Sequence, residues 1–221
     1  MPFYADLLFY FALAWALFFV HRATRSTLLL IVLVAWSVVQ VTLAESGFYQ
    51  VLDELPPRPL LALGPPLVAI LFMPILPRYR KWSSGFDMVC LLTIHVLRVP
   101  IEVFLHEAWS SGLVPEQITW SGTNWDILSG ISAAFLLAYR LQRPLPRALM
   151  IAWNIIAMFL LLNVVGTALL SLPTPMQQLN FDQPLILVTR APYILLPAVI
   201  VPIVLFAHMA ALVQLLTDTS E

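Results

Sequence analysis

The sequence predicts an all-α fold, a polytopic transmembrane helix bundle of about seven helices that forms a single domain over residues 1–221. Composition is the first reason, because 61% of the residues are hydrophobic and only 10% are charged, against roughly 25% charged in an ordinary soluble domain. The spacing of the apolar runs and the distribution of basic residues between loops are the other two. The net charge of −1 gives no overall field that would attract nucleic acid, so no nucleic-acid partner is expected.

Seven apolar runs are long enough to cross the roughly 30 Å hydrocarbon core of a bilayer, which takes about 20 helical residues. They lie near residues 4–21, 26–44, 60–77, 86–108, 124–141, 147–172 and 193–216. The third run contains Pro65, Pro66 and Pro74, and the seventh contains Pro197 and Pro202. Because proline inside a helix removes a backbone hydrogen bond, we expect kinks in both.

The loops alternate in charge, which predicts the orientation. Basic residues collect after the first, third and fifth runs, whereas acidic residues dominate the other loops. The basic set is Arg22, Arg25, Arg78, Arg80, Lys81, Arg140, Arg143 and Arg147. Under the positive-inside rule these loops are cytoplasmic, so the N-terminus is outside and the C-terminus inside. Because the first six residues carry no positive charge, the first run is expected to be a retained helix and not a cleaved signal peptide.

Four ionisable residues interrupt the fourth apolar run: His95, Arg98, Glu102 and His106. Their spacing of three, four and four places them on one stripe of a helix, at about 100° per residue. A charge near the bilayer centre costs roughly 2.5–3.5 kcal/mol on insertion scales, so such residues mark a candidate site. We therefore predict that this stripe binds a ligand.

Residues on other runs reach similar heights, since a helix rises about 1.5 Å per residue. Asp126 opens the fifth run next to Asn124, and Asn163 lies in the outer part of the sixth. With the stripe, these residues predict a polar site that opens to the outer side.

His208 on the last run lies at the depth of His95, so the two rings are expected to meet. Two imidazoles at one depth could share a metal ion or a haem, or could form a neutral hydrogen-bonded pair.

Structural roles compete with binding at several of these positions. Arg98 and Glu102, four residues apart, could neutralise each other as an ion pair. Asp126 follows Thr123 by three residues, a spacing typical of a helix-capping box. Asn163 could form an interhelical hydrogen bond, and His106 could be solvated at the interface.

The outer loop over residues 174–192 is unusually apolar. One interpretation is a lid in which Arg190 reaches the acidic side chains or an anionic ligand. The alternative is an interfacial segment packed on lipid headgroups.

Four stretches of sequence carry a family resemblance. They are His95-Val-Leu-Arg98-Val-Pro100-Ile-Glu102, Trp120 to Gly130, Phe181 to Pro184, and Leu196 to His208. The chain resembles a group of uncharacterised bacterial integral membrane proteins with an HxxRxPxE run, a Gly-x-Asn-aromatic-Asp-Ile run and a proline-rich last helix. The resemblance implies a bacterial cytoplasmic membrane and the same candidate positions, and it brings no activity.

Some familiar functions are excluded. A retinal Schiff base needs a lysine in mid-membrane, and the only lysine is Lys81, in a loop. Four isolated histidines are too few for a histidine-rich diiron centre, and the single Cys90 allows no intrachain disulfide.

Three functional classes stay open. The first is a bundle that binds or moves a small polar molecule or ion, using His95, Arg98, Glu102 and Asp126. The second is a metal- or haem-dependent membrane enzyme or electron carrier with His95 and His208 as ligands. The third is a structural or assembly subunit of a membrane complex. Membrane lipid is an expected partner in every case, and the oligomeric state is left open.

Overall fold

Residues 1–217 are described by the computed structural model, and within them the chain forms nine α-helices and no strand. In chain order the helices are α1 (Phe3–Thr24), α2 (Thr27–Glu45), α3 (Leu60–Phe72), α4 (Pro77–Ser83), α5 (Met88–Ile94), α6 (Arg98–Ser110), α7 (Ile127–Arg140), α8 (Arg147–Ser171) and α9 (Val201–Thr217). The all-α prediction is confirmed.

Five helical stretches are long and apolar enough to cross a membrane, which makes this an integral membrane protein. They are α1, α2, α8, the combined α5 and α6 stretch (Met88–Ser110), and the last stretch (Leu196–Thr217). A sixth span is possible where α3 continues into α4, with a bend of 91° between them. The predicted fifth segment is shorter than expected, because α7 has 14 residues and begins only after Asp126. The predicted orientation stays a prediction.

The bend between α3 and α4 lies at Leu76, not at Pro65 and Pro66, which sit inside a continuous α3. Leu76 is extended, with φ −80° and ψ 122°. This follows from Pro77, because a proline ring disfavours the helical conformation of the residue before it. The turn sends α4 away from the direction of α3.

The fourth predicted segment is broken by a 3₁₀ turn over His95–Leu97, which separates α5 from α6. The break lies just before Pro100, whose missing N–H weakens the local helical ladder. The indole N–H of Trp15 on α1 donates to the carbonyl of Thr93, two residues before the turn, at 2.9 Å. A side chain from a neighbouring helix thus supplies a hydrogen bond to a backbone carbonyl near the break.

The last segment begins with a π-helical turn over Leu196–Ile200 that leads into α9. Pro202 lacks the N–H that would bond to the carbonyl of Ala198 in an α-helix. The indole N–H of Trp36 on α2 donates to this carbonyl instead, at 3.0 Å. The backbone at both breaks is therefore hydrogen-bonded to tryptophans of α1 and α2. The two broken helices lie side by side, with α5 packed on α9.

The centre of the bundle is formed by α9 and the α5–α6 stretch, which pack against the small buried residues of α1. In the most apolar window of the last stretch 67% of the residues are buried, against 11% for α2. On α1 the side chains of Ala5, Ala12 and Ala16 are fully buried, so neighbouring helices approach closely. Helix α2 is peripheral and presents most of its surface to lipid.

The bundle has two ends. We call the end with the α1–α2 turn, α4 and the α7–α8 loop the basic end, after its arginines and Lys81. At the other end two irregular segments, residues 111–126 and 172–195, fold into the bundle. Irregular backbone is tolerated at membrane depth only where protein buries it, and here Asn124 and Thr189 are fully buried.

Candidate functional site

Arg98, the first residue of α6, lies at the centre of a buried polar network and is 2% exposed. Its Nη1 donates to the carboxylate of Asp126 at 2.8 Å and to the carbonyl of Ala157 at 3.1 Å. Its Nη2 lies 2.8 Å from Nε2 of His208. One guanidinium therefore joins α6 to the segment before α7, to α8 and to α9.

The ion pair considered between Arg98 and Glu102 is wrong. Within residues 1–217 the ion-pair partner of Arg98 is Asp126. Neither carboxylate oxygen of Glu102 forms an ion pair with a described cation. Glu102 instead accepts a hydrogen bond from Nδ2 of Asn124 at 2.6 Å. The reason is the irregular segment 111–126, which places the amide of Asn124 next to Glu102 and the carboxylate of Asp126 next to Arg98.

The capping role considered for Asp126 is also wrong. Asp126 occupies the position before α7, but its side chain forms no capping hydrogen bond, because its carboxylate is bound to Arg98. Its backbone N–H donates to Oδ1 of Asn124 at 3.0 Å. The hydroxyl of Thr123 donates to the carbonyl of Gln117 at 3.1 Å and so does not form a capping box.

His95 and His208 meet as predicted, with ring centroids 4.0 Å apart and an interplanar angle of 28°. A guanidinium can only donate, so Nε2 of His208 must be the acceptor of the Arg98 hydrogen bond. The proton of His208 is thereby assigned to Nδ1, which donates to Oδ1 of Asn154 at 2.9 Å. His208 is accordingly a neutral imidazole held in one tautomer.

This arrangement does not fit the metal or haem site considered for His95 and His208. Both nitrogens of His208 already have partners, and rings stacked face to face do not direct their nitrogens at one ion. The 4.0 Å separation leaves no room for a haem between the rings. Within residues 1–217 no group of three or more His, Cys, Asp or Glu side chains is placed to hold a metal ion.

The remaining predicted residues lie outside this network. His106 stacks on Trp120 with centroids 4.4 Å apart and is partly exposed. Asn163 on α8 donates to the carbonyl of Thr123 at 3.0 Å, so it binds the irregular segment 111–126 and not another helix. Arg190 is exposed and forms no ion pair with a described acidic residue, so it does not reach into the site.

Asn154 was not among the predicted site residues. It is 1% exposed and also donates from Nδ2 to the carbonyl of Met150 at 2.8 Å, which fixes the orientation of its amide. The only sequence signal is a lone amide in an apolar run, the same signal that Asn163 gives.

A cavity of about 100 Å³ lies against this network, between α3, α6, α8 and the last helix. Arg98, Glu102 and Asp126 line one part of it, and aliphatic side chains such as Ile101, Leu161 and Ala168 form nearly all the rest. Leu185 and Val188 of the loop 172–195 also line it. Apart from the three charged residues the walls are therefore aliphatic, and the predicted opening to the outer side stays a prediction.

Two residues that line this cavity each have a buried side-chain atom without a hydrogen-bond partner, namely Nε of Arg98 and Oε2 of Glu102. Nδ1 of His95, close to the same network, is unpartnered as well. Leaving a buried polar group unpaired costs roughly 1–3 kcal/mol. The network can thus accept further hydrogen-bonding groups.

The fold and the site define an integral membrane helix bundle with a buried polar centre beside an aliphatic cavity. A family model described as "Domain of unknown function (DUF8737)" matches residues 56–216, and the chain belongs to this family. The matched range contains every residue of the network around Arg98. No curated protein and no solved structure matches the chain.

Proposed function

We propose that the protein binds a small amphipathic molecule taken from the membrane, with the first carbons of its aliphatic tail in the cavity, the rest of the tail in the bilayer, and a hydroxyl-type polar group at Arg98 and Glu102. The observation that carries the proposal is the pair of unpartnered atoms, Nε of Arg98 and Oε2 of Glu102, in two residues that line an otherwise aliphatic cavity. Binding pockets of this kind combine apolar walls with a few polar groups that fix orientation.

The two unpartnered atoms specify the polar group of the ligand. The carboxylate oxygen of Glu102 needs a donor, whereas the guanidinium nitrogen of Arg98 needs an acceptor. A hydroxyl supplies both. The aliphatic walls favour a hydrocarbon tail over a fully polar molecule or a hydrated ion, because a polar solute would lose its water without gaining partners there.

Access from the bilayer is supported by the packing of α3. This helix packs mainly on the last helix and its π turn and not on α8. Both α3, through Leu63, and α8 line the cavity, so a molecule in the bilayer could enter between them. The broken turns at His95–Leu97 and Leu196–Ile200 adjoin the network, as discontinuous helices do at the binding sites of many transporters. We place the protein in the bacterial cytoplasmic membrane, with the basic end in the cytoplasm.

The test is ligand-dependent thermal stabilisation of the purified protein, with dodecanol as the probe and dodecane as its tail-only counterpart. We expect dodecanol to raise the unfolding temperature more than dodecane does. Ala168→Phe fills the cavity and should abolish the difference, whereas Ala152→Phe, at an exposed position on α8, should preserve it. At a ligand concentration 100 times Kd the stabilisation is about 2.7 kcal/mol.

Glu102→Met removes the acceptor at similar size, so it should reduce the dodecanol response towards that of dodecane. Equal responses of the native protein to the two probes would refute the polar part of the proposal. Equal dodecanol responses in the two phenylalanine variants would refute the cavity as the site.

A further inference from the structure

A second apolar groove runs between α2 and α3 and shares no lining residue with the cavity at Arg98. Its volume is about 250 Å³. Leu33 and Trp36 of α2, Ala69 of α3 and Phe206 of α9 form its walls, and Trp82 lies at one end. The groove is wholly apolar along its length, so its occupant there is a hydrocarbon.

The groove ends beside α4, which has the features of a helix in the membrane interface. The helix is turned by 91° from α3. Its Tyr79 is buried, whereas Arg78, Lys81 and Trp82 are exposed. Basic and tryptophan side chains on one face, with an apolar anchor on the other, are typical of helices that lie in the plane of the interface.

Exposed cations lie close in sequence to lining residues at this end of the groove. Lys81 is next to Trp82, and Arg25, in the α1–α2 turn, comes four residues before Leu29; both Trp82 and Leu29 line the groove. The ion pairs within residues 1–217 involve only Arg58 and Arg98, so no described carboxylate neutralises these cations.

We propose that the α2–α3 groove is a binding site for an anionic phospholipid. One acyl chain lies along α2 and α3, and the phosphate lies at Arg25, Arg78 and Lys81. An apolar groove that ends at unneutralised cations matches a molecule with a hydrocarbon chain and a negative headgroup, and basic segments at a membrane surface attract such lipids. A free phosphate would leave the groove unfilled.

The test is native mass spectrometry of the delipidated protein with added phosphatidylglycerol or phosphatidylcholine of the same acyl chains. We expect phosphatidylglycerol to be retained preferentially. In the variant Arg25→Gln/Arg78→Gln/Lys81→Gln, the retention of phosphatidylglycerol relative to phosphatidylcholine should fall by about fivefold for each cation removed. The control Arg140→Gln/Arg143→Gln/Arg147→Gln removes the same charge at the same end and should keep it.

A second pair of variants tests the acyl chain. Ala69→Phe fills the groove and should lower retention of phosphatidylglycerol, whereas Leu71→Phe, an exposed position on the same helix, should not. Glycerol phosphate should not compete with the lipid. The proposal is overturned if both triple variants lose retention equally, if Ala69→Phe has no effect, or if glycerol phosphate displaces the lipid.

Discussion

The pairing of Arg98 with Asp126 predicts a specific energetic coupling. Asp126→Asn removes the negative charge that lies 2.8 Å from Nη1 and leaves a guanidinium that is 2% exposed without its counter-ion. Breaking a buried pair from one side costs roughly 3–5 kcal/mol. Because Arg98 keeps the carbonyl of Ala157 and the ring of His208 as acceptors, we expect the lower end of that range, about 3 kcal/mol.

Combining Arg98→Met with Asp126→Leu replaces the pair by apolar side chains and should cost far less than the sum of Arg98→Met alone and Asp126→Leu alone. The coupling energy should reach about 1–3 kcal/mol. The free energy of unfolding can be measured by titrating the protein in detergent with SDS and following tryptophan fluorescence.

The matched control is the cycle formed by Arg98→Met and Glu102→Gln. Glu102 is bonded to Asn124 and not to Arg98, so its coupling to Arg98 should be clearly smaller than that of Asp126. Additive effects at Arg98 and Asp126, or a stronger coupling to Glu102, would refute the network described here.

Two further predictions concern packing and topology. Gly130→Ala should destabilise the fold by about 1–3 kcal/mol, since a Cβ there would lie 2.8 Å from Cγ2 of Val99; Gly166→Ala, which meets nothing within 4 Å, should be neutral or stabilising in the same SDS titration. In a Cys90→Ser background, a membrane-impermeant thiol reagent applied to intact cells should label Gln50→Cys and Ser111→Cys but not Ser84→Cys, all three exposed positions. The reverse labelling pattern would overturn the orientation.

Those features that depend only on hydropathy, helix geometry and proline chemistry were predictable from the sequence. Hydropathy located the spanning helices because every apolar run had to be helical in lipid. Counting depth along two antiparallel helices placed His95 beside His208, and the rings are indeed stacked. Pro202 predicted a free carbonyl at Ala198, which Trp36 takes.

The partners of Arg98 were not predictable in this way. They depend on the segment 111–126, which is irregular and has no periodicity that would reveal its path into the bundle. When the fifth segment is predicted as a helix from residue 124, Asp126 lies at the outer boundary of the membrane. In the structure α7 begins only at Ile127, and its 14 residues rise about 21 Å from Arg140, which brings Asp126 to the height of Arg98.

The network itself argues against a purely structural role. A buried ion pair is weak evidence for stability, because apolar side chains of similar volume often stabilise a protein equally well or better. A network selected only to fix helix positions would also satisfy its polar atoms, yet Nε of Arg98 and Oε2 of Glu102 are left without partners beside a cavity. Each such atom costs roughly 1–3 kcal/mol. That cost falls on the two residues of the network that can meet a ligand from the cavity, whereas Asn124 and His208 behind them have their side-chain nitrogens bonded. Nδ1 of His95 is a third unpartnered atom near the network, so two of these three atoms belong to residues that line the cavity.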